Sequence, residues 1–192
     1  MRILRNFLLA VWLVPAAAAA QGAPADDLGD EGPEGYFYAG LAALVELPTQ
    51  IQGSAYQLGG GGEFSCGYAF DDFWAFQLQV DSLYLYGLNS TSIYCLRPLA
   101  ELKCSVDLGD FQAYALLGPG LNIDFIDYNN LSSATAVNFV TVAGLGVQTA
   151  VADDLELYAE GKYAVLYYAR SMVPNGEITQ DIPLESGLLL AL

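Results

Sequence analysis

Trp74-Ala75-Phe76-Gln77-Leu78-Gln79-Val80-Asp81-Ser82-Leu83-Tyr84-Leu85-Tyr86 places Trp74, Phe76, Leu78, Val80, Tyr84 and Tyr86 on one face and Gln77, Gln79 and Asp81 on the other. A period of two is the signature of an extended chain, whose successive side chains point to opposite faces. The alternation continues on both sides of this stretch. Before it, Tyr56, Leu58, Phe64, Cys66, Tyr68 and Phe70 oppose Gln57, Glu63 and Ser65. After it, Tyr94, Leu96, Leu102 and Val106 oppose Arg97, Glu101, Lys103, Ser105 and Asp107. Phe111, Leu117, Leu121, Ile123 and Phe125 then oppose Gln112, Tyr114, Asn122 and Asp124, and Leu155, Leu157, Tyr163, Val165 and Tyr167 oppose Glu156, Glu160, Lys162 and Arg170. Residues 36–46, 136–152 and 184–192 alternate less cleanly. The run 136–152 is apolar enough for a membrane helix, but Asn138, Gln148, two glycines and many β-branched residues favour a strand. Eight strands are expected.

Composition agrees with this reading. The 192 residues are enough for one domain. Only 15% are charged, against about 25% in ordinary soluble domains, while 54% are hydrophobic and 12% aromatic. That mixture excludes a disordered chain. A net charge of −16 with only six Lys and Arg argues against nucleic acid as a partner. There is no histidine, which removes the commonest general base and metal ligand. Residues 1–20 have the parts of a secretory signal: Arg2 and Arg5, the apolar run Phe7-Leu8-Leu9-Ala10-Val11-Trp12-Leu13-Val14, then Pro15 and five alanines. Residues 21–34 read as a flexible acidic leader, and residues 35–192 as the folded domain.

The connections decide the architecture. Phe70-Asp71-Asp72, Leu108-Gly109-Asp110 and Ala152-Asp153-Asp154 are tight turns, and they alternate with longer links over 47–53, 87–92, 126–135 and 171–183. Short turns at one end and longer loops at the other are the layout of an up-and-down transmembrane β-barrel, with the short turns periplasmic. The apolar face could line a lipid-carrying cavity or meet a membrane, and two features favour the membrane. Arg97, Lys103, Lys162 and Arg170 share the polar face with Glu63, Asp81, Glu101 and Glu160, too few bases to cover a soluble surface. The outward aromatics also sort by height. Tyr68, Phe70, Trp74 and Phe111 lie near the short turns, and Tyr56, Tyr84, Tyr86, Tyr94, Phe125, Phe139 and Tyr167 near the longer loops. Two aromatic belts around an aliphatic band are expected at the two membrane–water interfaces.

Tyr114-Ala115-Leu116-Leu117-Gly118-Pro119-Gly120-Leu121 and Leu157-Tyr158-Ala159-Glu160-Gly161-Lys162-Tyr163 are similar to strands of the small eight-stranded outer-membrane proteins of the OmpA-like and OmpX-like kind. The resemblance covers residues 35–192. It implies an all-β, eight-stranded antiparallel up-and-down transmembrane barrel, monomeric in outer-membrane lipid and folded by the barrel-assembly machinery. Members usually end on an aromatic residue that this machinery recognises, whereas this chain ends Leu188-Leu189-Leu190-Ala191-Leu192. No counterpart of the peptidoglycan-binding half of longer relatives is expected. Enzymes of the resembling class use histidine, so no catalytic activity is expected.

Glu63, Asp81, Arg97, Glu101, Lys103, Glu160 and Lys162 gather mid-strand on the polar face as a charge network. Eight strands leave a lumen that side chains can fill, and mixed signs there suit mutual pairing better than transport. A polar, plugged lumen with a structural or surface-contact role is the expectation. A narrow channel for small or apolar solutes is the alternative, and a soluble lipid carrier a remote third. Gly59-Gly60-Gly61-Gly62 is followed by neither Lys-Ser/Thr nor a helix, which excludes a phosphate cradle. Cys66, Cys95 and Cys104 lack zinc-ligand spacing and are expected as free thiols. No cofactor or metal is expected, and the surface loops have no assigned partner.

Overall fold

The computed structural model describes residues 35–48, 56–87, 91–128, 132–167 and 178–192. The expected signal and leader (1–34) lie outside them. The described residues form β1 (Tyr36–Pro48), β2 (Tyr56–Ala69), β3 (Trp74–Gly87), β4 (Thr91–Asp107), β5 (Gln112–Tyr128), β6 (Ser132–Ala152), β7 (Leu155–Tyr167) and β8 (Ile178–Ala191). Each strand pairs antiparallel with its neighbour in sequence, and β1 also pairs with β8, so the sheet closes. Closure satisfies every strand edge within the wall, as a hydrocarbon solvent requires.

Three of the expected links are shorter than the sequence suggests. β4 already begins at Thr91, β5 and β6 extend to Tyr128 and from Ser132, and β8 begins at Ile178, so much of 126–135 and 178–183 is strand. The pairs Ile126↔Ala134 and Asp127↔Ser133 carry the β5–β6 ladder past the last apolar residues. Polar strand tips keep their hydrogen bonds but lose the apolar alternation by which a strand is read. Pro183 was expected to end a loop and instead sits inside β8. The β7–β8 ladder breaks off around it, between Gly161↔Leu184 and Ala164↔Asp181. Proline has no N–H to give, and the barrel accepts it at that interruption. The β4–β5 ladder is likewise interrupted on both sides of Leu99↔Gly120, beside Pro98 and Pro119.

The start of β1 and the end of β8 meet the short-turn rim, where Ala191 N donates to Asp154 O and Leu192 N to Phe37 O. The β2–β3 turn is tied by Asp71 Oδ1, which accepts from Phe73 N and Trp74 N at 2.8 and 2.6 Å. In the β4–β5 turn Asp107 Oδ1 accepts from Gly109 N, and Gly109 has a φ of 94°. A side chain at that φ is strained. Gly109→Val is therefore expected to lower stability by about 1–2 kcal/mol, read as a shift in the urea midpoint of the refolded barrel.

The wall separates two environments. Phe64, Leu78, Val80, Leu102, Leu117, Leu121, Val137 and Leu145 are exposed on the outside. Leu157 has the same parity yet is buried, sheltered in a groove lined by Phe111, Val147 and Thr149. The interior is not uniformly polar as expected. Leu99, Tyr114, Leu116, Val140, Val142, Ala164 and Leu166 form an apolar cluster on the β4–β7 side, and Leu44, Leu83 and Cys95 a second one on the opposite side. A third, of Tyr38, Ala69, Ala75, Tyr158 and Leu189, involves strand ends near the short turns. An eight-stranded lumen is narrow enough for inward apolar side chains to meet across it.

Candidate functional site

Seven charged residues were expected to gather on the inner face, and all seven are buried there: Glu63, Asp81, Arg97, Glu101, Lys103, Glu160 and Lys162. They gather around three bases, with Gln79 linking Asp81 to Lys162. Each of the three bases has its own surroundings.

Arg97 of β4 is the centre nearest the loops. Its guanidinium lies 2.8 Å from Glu46 Oε2 and 4.0 Å from Asp81 Oδ2, and Nε donates to Asn122 Oδ1 at 3.0 Å. Cys95 Sγ donates to the same Asn122 oxygen, and Asn122 Nδ2 donates to Asp124. Arg97 and Asn122 would be register partners where the β4–β5 ladder is interrupted, so a side-chain bond crosses a seam short of backbone ones.

Lys162 of β7 occupies mid-barrel. Its Nζ is 2.7 Å from Glu160 Oε1, 3.1 Å from Glu185 Oε2 and 3.3 Å from Glu101 Oε1, and it donates to Gln79 Oε1 at 2.7 Å. Glu160 also accepts from Tyr114 Oη at 2.7 Å, and Gln77 Nε2 donates to Glu101 at 3.2 Å. Lys103, towards the short turns, donates to Gln148 Oε1 and lies 3.7 Å from the centroid of the Tyr114 ring. Beside it is a cavity of about 40 Å³ lined by Tyr38, Asp72, Trp74, Gln112 and Glu156, room for little more than water. Glu63 pairs with none of the three bases; it accepts from Tyr158 Oη at 3.0 Å and lies opposite Asp81 on the neighbouring strand.

Two carboxylates that complete these sets, Glu46 and Glu185, were not among the expected site residues. They sit on β1 and β8, where inward Tyr38, Leu44 and Leu189 make both faces apolar and erase the alternation. A signal was nevertheless present. A lone Glu within Leu184-Glu185-Ser186-Gly187-Leu188 can only point inward if the segment crosses a membrane, because a charge facing lipid is costly.

Most outward aromatics fall into two groups, with exposed Phe64 and Tyr163 between them. Near the short turns, ring centroids lie 4.8 Å apart for Phe37 and Tyr68, 5.4 Å for Tyr68 and Phe70, and 5.1 Å for Phe73 and Trp74, with Phe111 exposed at the β4–β5 turn. Phe37 and Phe73 add to the expected set. Towards the loops, exposed Tyr84, Tyr94, Phe125, Phe139 and Tyr167 stand on the consecutive strands β3 to β7. Tyr94 and Phe125 are 6.0 Å apart, and Phe139 and Tyr167 5.9 Å. Tyr56 and Tyr86 are on β2 and β3, and their side chains lie outside the described set, as does Arg170. Ten residues of a strand tilted by roughly 40° separate Trp74 from Tyr84, a height of about 25 Å, which equals the apolar band of an outer-membrane barrel. Cys66 is exposed, Cys104 half-buried and Cys95 buried, all as free thiols.

The profile of the outer membrane protein beta-barrel domain matches residues 7–181. The chain belongs to this family. Curated proteins give no match to the sequence. Among solved structures the barrel is similar to Neisserial surface protein A, with 20% identity and a TM-score of 0.68 over 80% of this chain and 96% of that one. It is also similar to Ail of Yersinia pestis in complex with the heparin analogue sucrose octasulfate (11% identity, TM-score 0.58, covering 83% and 100%). OprG from Pseudomonas aeruginosa matches with 14% identity and a TM-score of 0.54, covering 86% and 99%. At these identities the likeness is one of fold.

Proposed function

We propose that this family member is an integral outer-membrane barrel with a non-catalytic structural or surface-contact role, and that its lumen is a plug rather than a conduit. The observation that carries the plug is the lumen's filling. Arg97 and Lys162 are each held by carboxylates at 2.7–2.8 Å, between apolar clusters that reach across the interior. A conducting path needs mobile charge and water, and paired buried charges supply neither. The two aromatic groups, about 25 Å apart, support outer-membrane lipid as the surrounding solvent. In this reading residues 1–20 are a cleaved export signal, the barrel-assembly machinery inserts the chain as a monomer, and nucleic acid is no partner.

Contact with other molecules falls to the loop end. An anion such as the sucrose octasulfate bound to Ail suits this chain poorly, because 22 acidic residues face six basic ones. A cationic or neutral surface partner fits the balance better.

The chain refolded in detergent is expected to migrate differently on a gel before and after boiling, and to give no steady current in planar bilayers at moderate voltage. A sustained, ion-selective current would make the lumen a channel. Solubility without detergent would turn the barrel inside out.

A further inference from the structure

Among the described residues, seven buried carboxylates share the lumen with three buried bases. Arg97 and Lys162 between them face Glu46, Asp81, Glu101, Glu160 and Glu185, so two bases meet five carboxylates and negative charge is left in excess. That excess is concentrated at one place. Glu63 and Asp81 are register partners on β2 and β3, directly opposite one another, an arrangement that repels unless something positive lies between. Glu185 of β8 completes the group: one oxygen from each of the three lies within 4.8 Å of the others.

Each of these carboxylates has one oxygen committed and one without a hydrogen bond. Glu63 Oε1 accepts from Tyr158, Asp81 Oδ1 from Gln79 at 2.6 Å, and Glu185 Oε2 meets Lys162. Glu63 Oε2, Asp81 Oδ2 and Glu185 Oε1 are buried with no hydrogen-bond partner, although Arg97 stands 4.0 Å from Asp81 Oδ2. Buried carboxylate oxygens without a hydrogen bond are costly wherever they occur, and each of these three neighbouring side chains carries one.

We propose that Glu63, Asp81 and Glu185 hold a divalent cation of the calcium class inside the barrel. The donors are all carboxylate oxygens, hard ligands that suit calcium or magnesium and not the thiophilic metals. Coordination separates those two: calcium accepts several carboxylate oxygens in a flexible geometry, whereas magnesium demands a near-ideal octahedron and keeps several of its waters, for which a side-chain-filled lumen leaves little room. The bound ion turns the Glu63–Asp81 repulsion into attraction and ties β2, β3 and β8 across the lumen.

The test is calcium retention by the chain refolded in zwitterionic detergent with calcium present, then gel-filtered and counted by atomic absorption. One calcium per wild-type barrel is expected. Glu63→Gln and Asp81→Asn should each retain at least tenfold less, and Asp153→Asn in an exposed turn as much as wild type. No retained calcium, or equal retention by all three variants, overturns the proposal and assigns the excess charge to shared protons. Should either lumen variant fail to refold, terbium on the wild type decides. Tyr158, bonded to Glu63, should sensitise its emission, and calcium should quench it by displacement. Emission that is absent or insensitive to calcium refutes the site.

Discussion

Lys162→Met should lower the stability of the refolded barrel by about 3–5 kcal/mol, the usual cost of breaking a buried ion pair by removing one partner. The ammonium is the common partner of Glu101, Glu160 and Glu185 within 3.3 Å, and none of these side chains is more than 3% exposed. Methionine fills much of the same volume, so the loss isolates the charge from the packing. Three carboxylates would then stand together in a dry interior without their counter-charge. Urea titration of the folded band on unboiled gels measures the shift. Salt should do little to restore it, because screening ions do not reach buried pairs. Adding Glu160→Gln and Glu185→Gln to the variant should recover most of the loss, since neutral amides no longer need the ammonium. Bilayer currents should stay at baseline throughout. Undiminished stability in the single variant would mean that the carboxylates are already neutral, and the pairing account of the lumen would fall.

How far this interior was legible in the sequence depended on the strand. In β3 and β4 the charged and amide side chains Gln77, Gln79, Asp81, Arg97, Glu101 and Lys103 all point inward against a largely apolar outer face, so the two faces separate by inspection despite inward Leu83, Cys95 and Leu99. In β6 the inward residues include Val140 and Val142 opposite outward Val137 and Phe139, so polarity no longer reports direction. β1 and β8 blur in the same way through Leu44 and Leu189, which is why Glu46 and Glu185 escaped notice. The charges were therefore half visible: all three bases, but only part of the carboxylate sets around Arg97 and Lys162. Grouping into separate centres could not be read at all. It depends on register across the barrel, and a period of two carries no information on which rung meets which. Strand ends beyond the membrane were hidden for a related reason, because Asp127, Ser133 and their neighbours are as polar as a loop while still paired.

Gly118→Val tests the wall rather than the charges. A Cβ at Gly118 would lie 2.1 Å from Ala100 O and 2.8 Å from Glu101 Cα, both backbone atoms of the facing strand. No rotamer change relieves such a contact, so β4 and β5 must part. They would part where Pro98 and Pro119 already interrupt the ladder, and where Glu101 hands its side chain to Lys162 and Gln77. Overpacking of this kind costs about 1–3 kcal/mol, and the upper end is expected because strand separation also pulls Glu101 away from Lys162. Gly60→Ala supplies the contrast. The nearest atom to a Cβ there is Leu44 O at 4.0 Å, so this glycine leaves room for a methyl group. That variant should be neutral or gain a few tenths of a kcal/mol, by restricting the unfolded chain. If both variants lost stability equally, glycine would matter in these strands for its backbone freedom. If only Gly118→Val did, the barrel depends on close approach at one seam, the seam that positions Glu101 for Lys162.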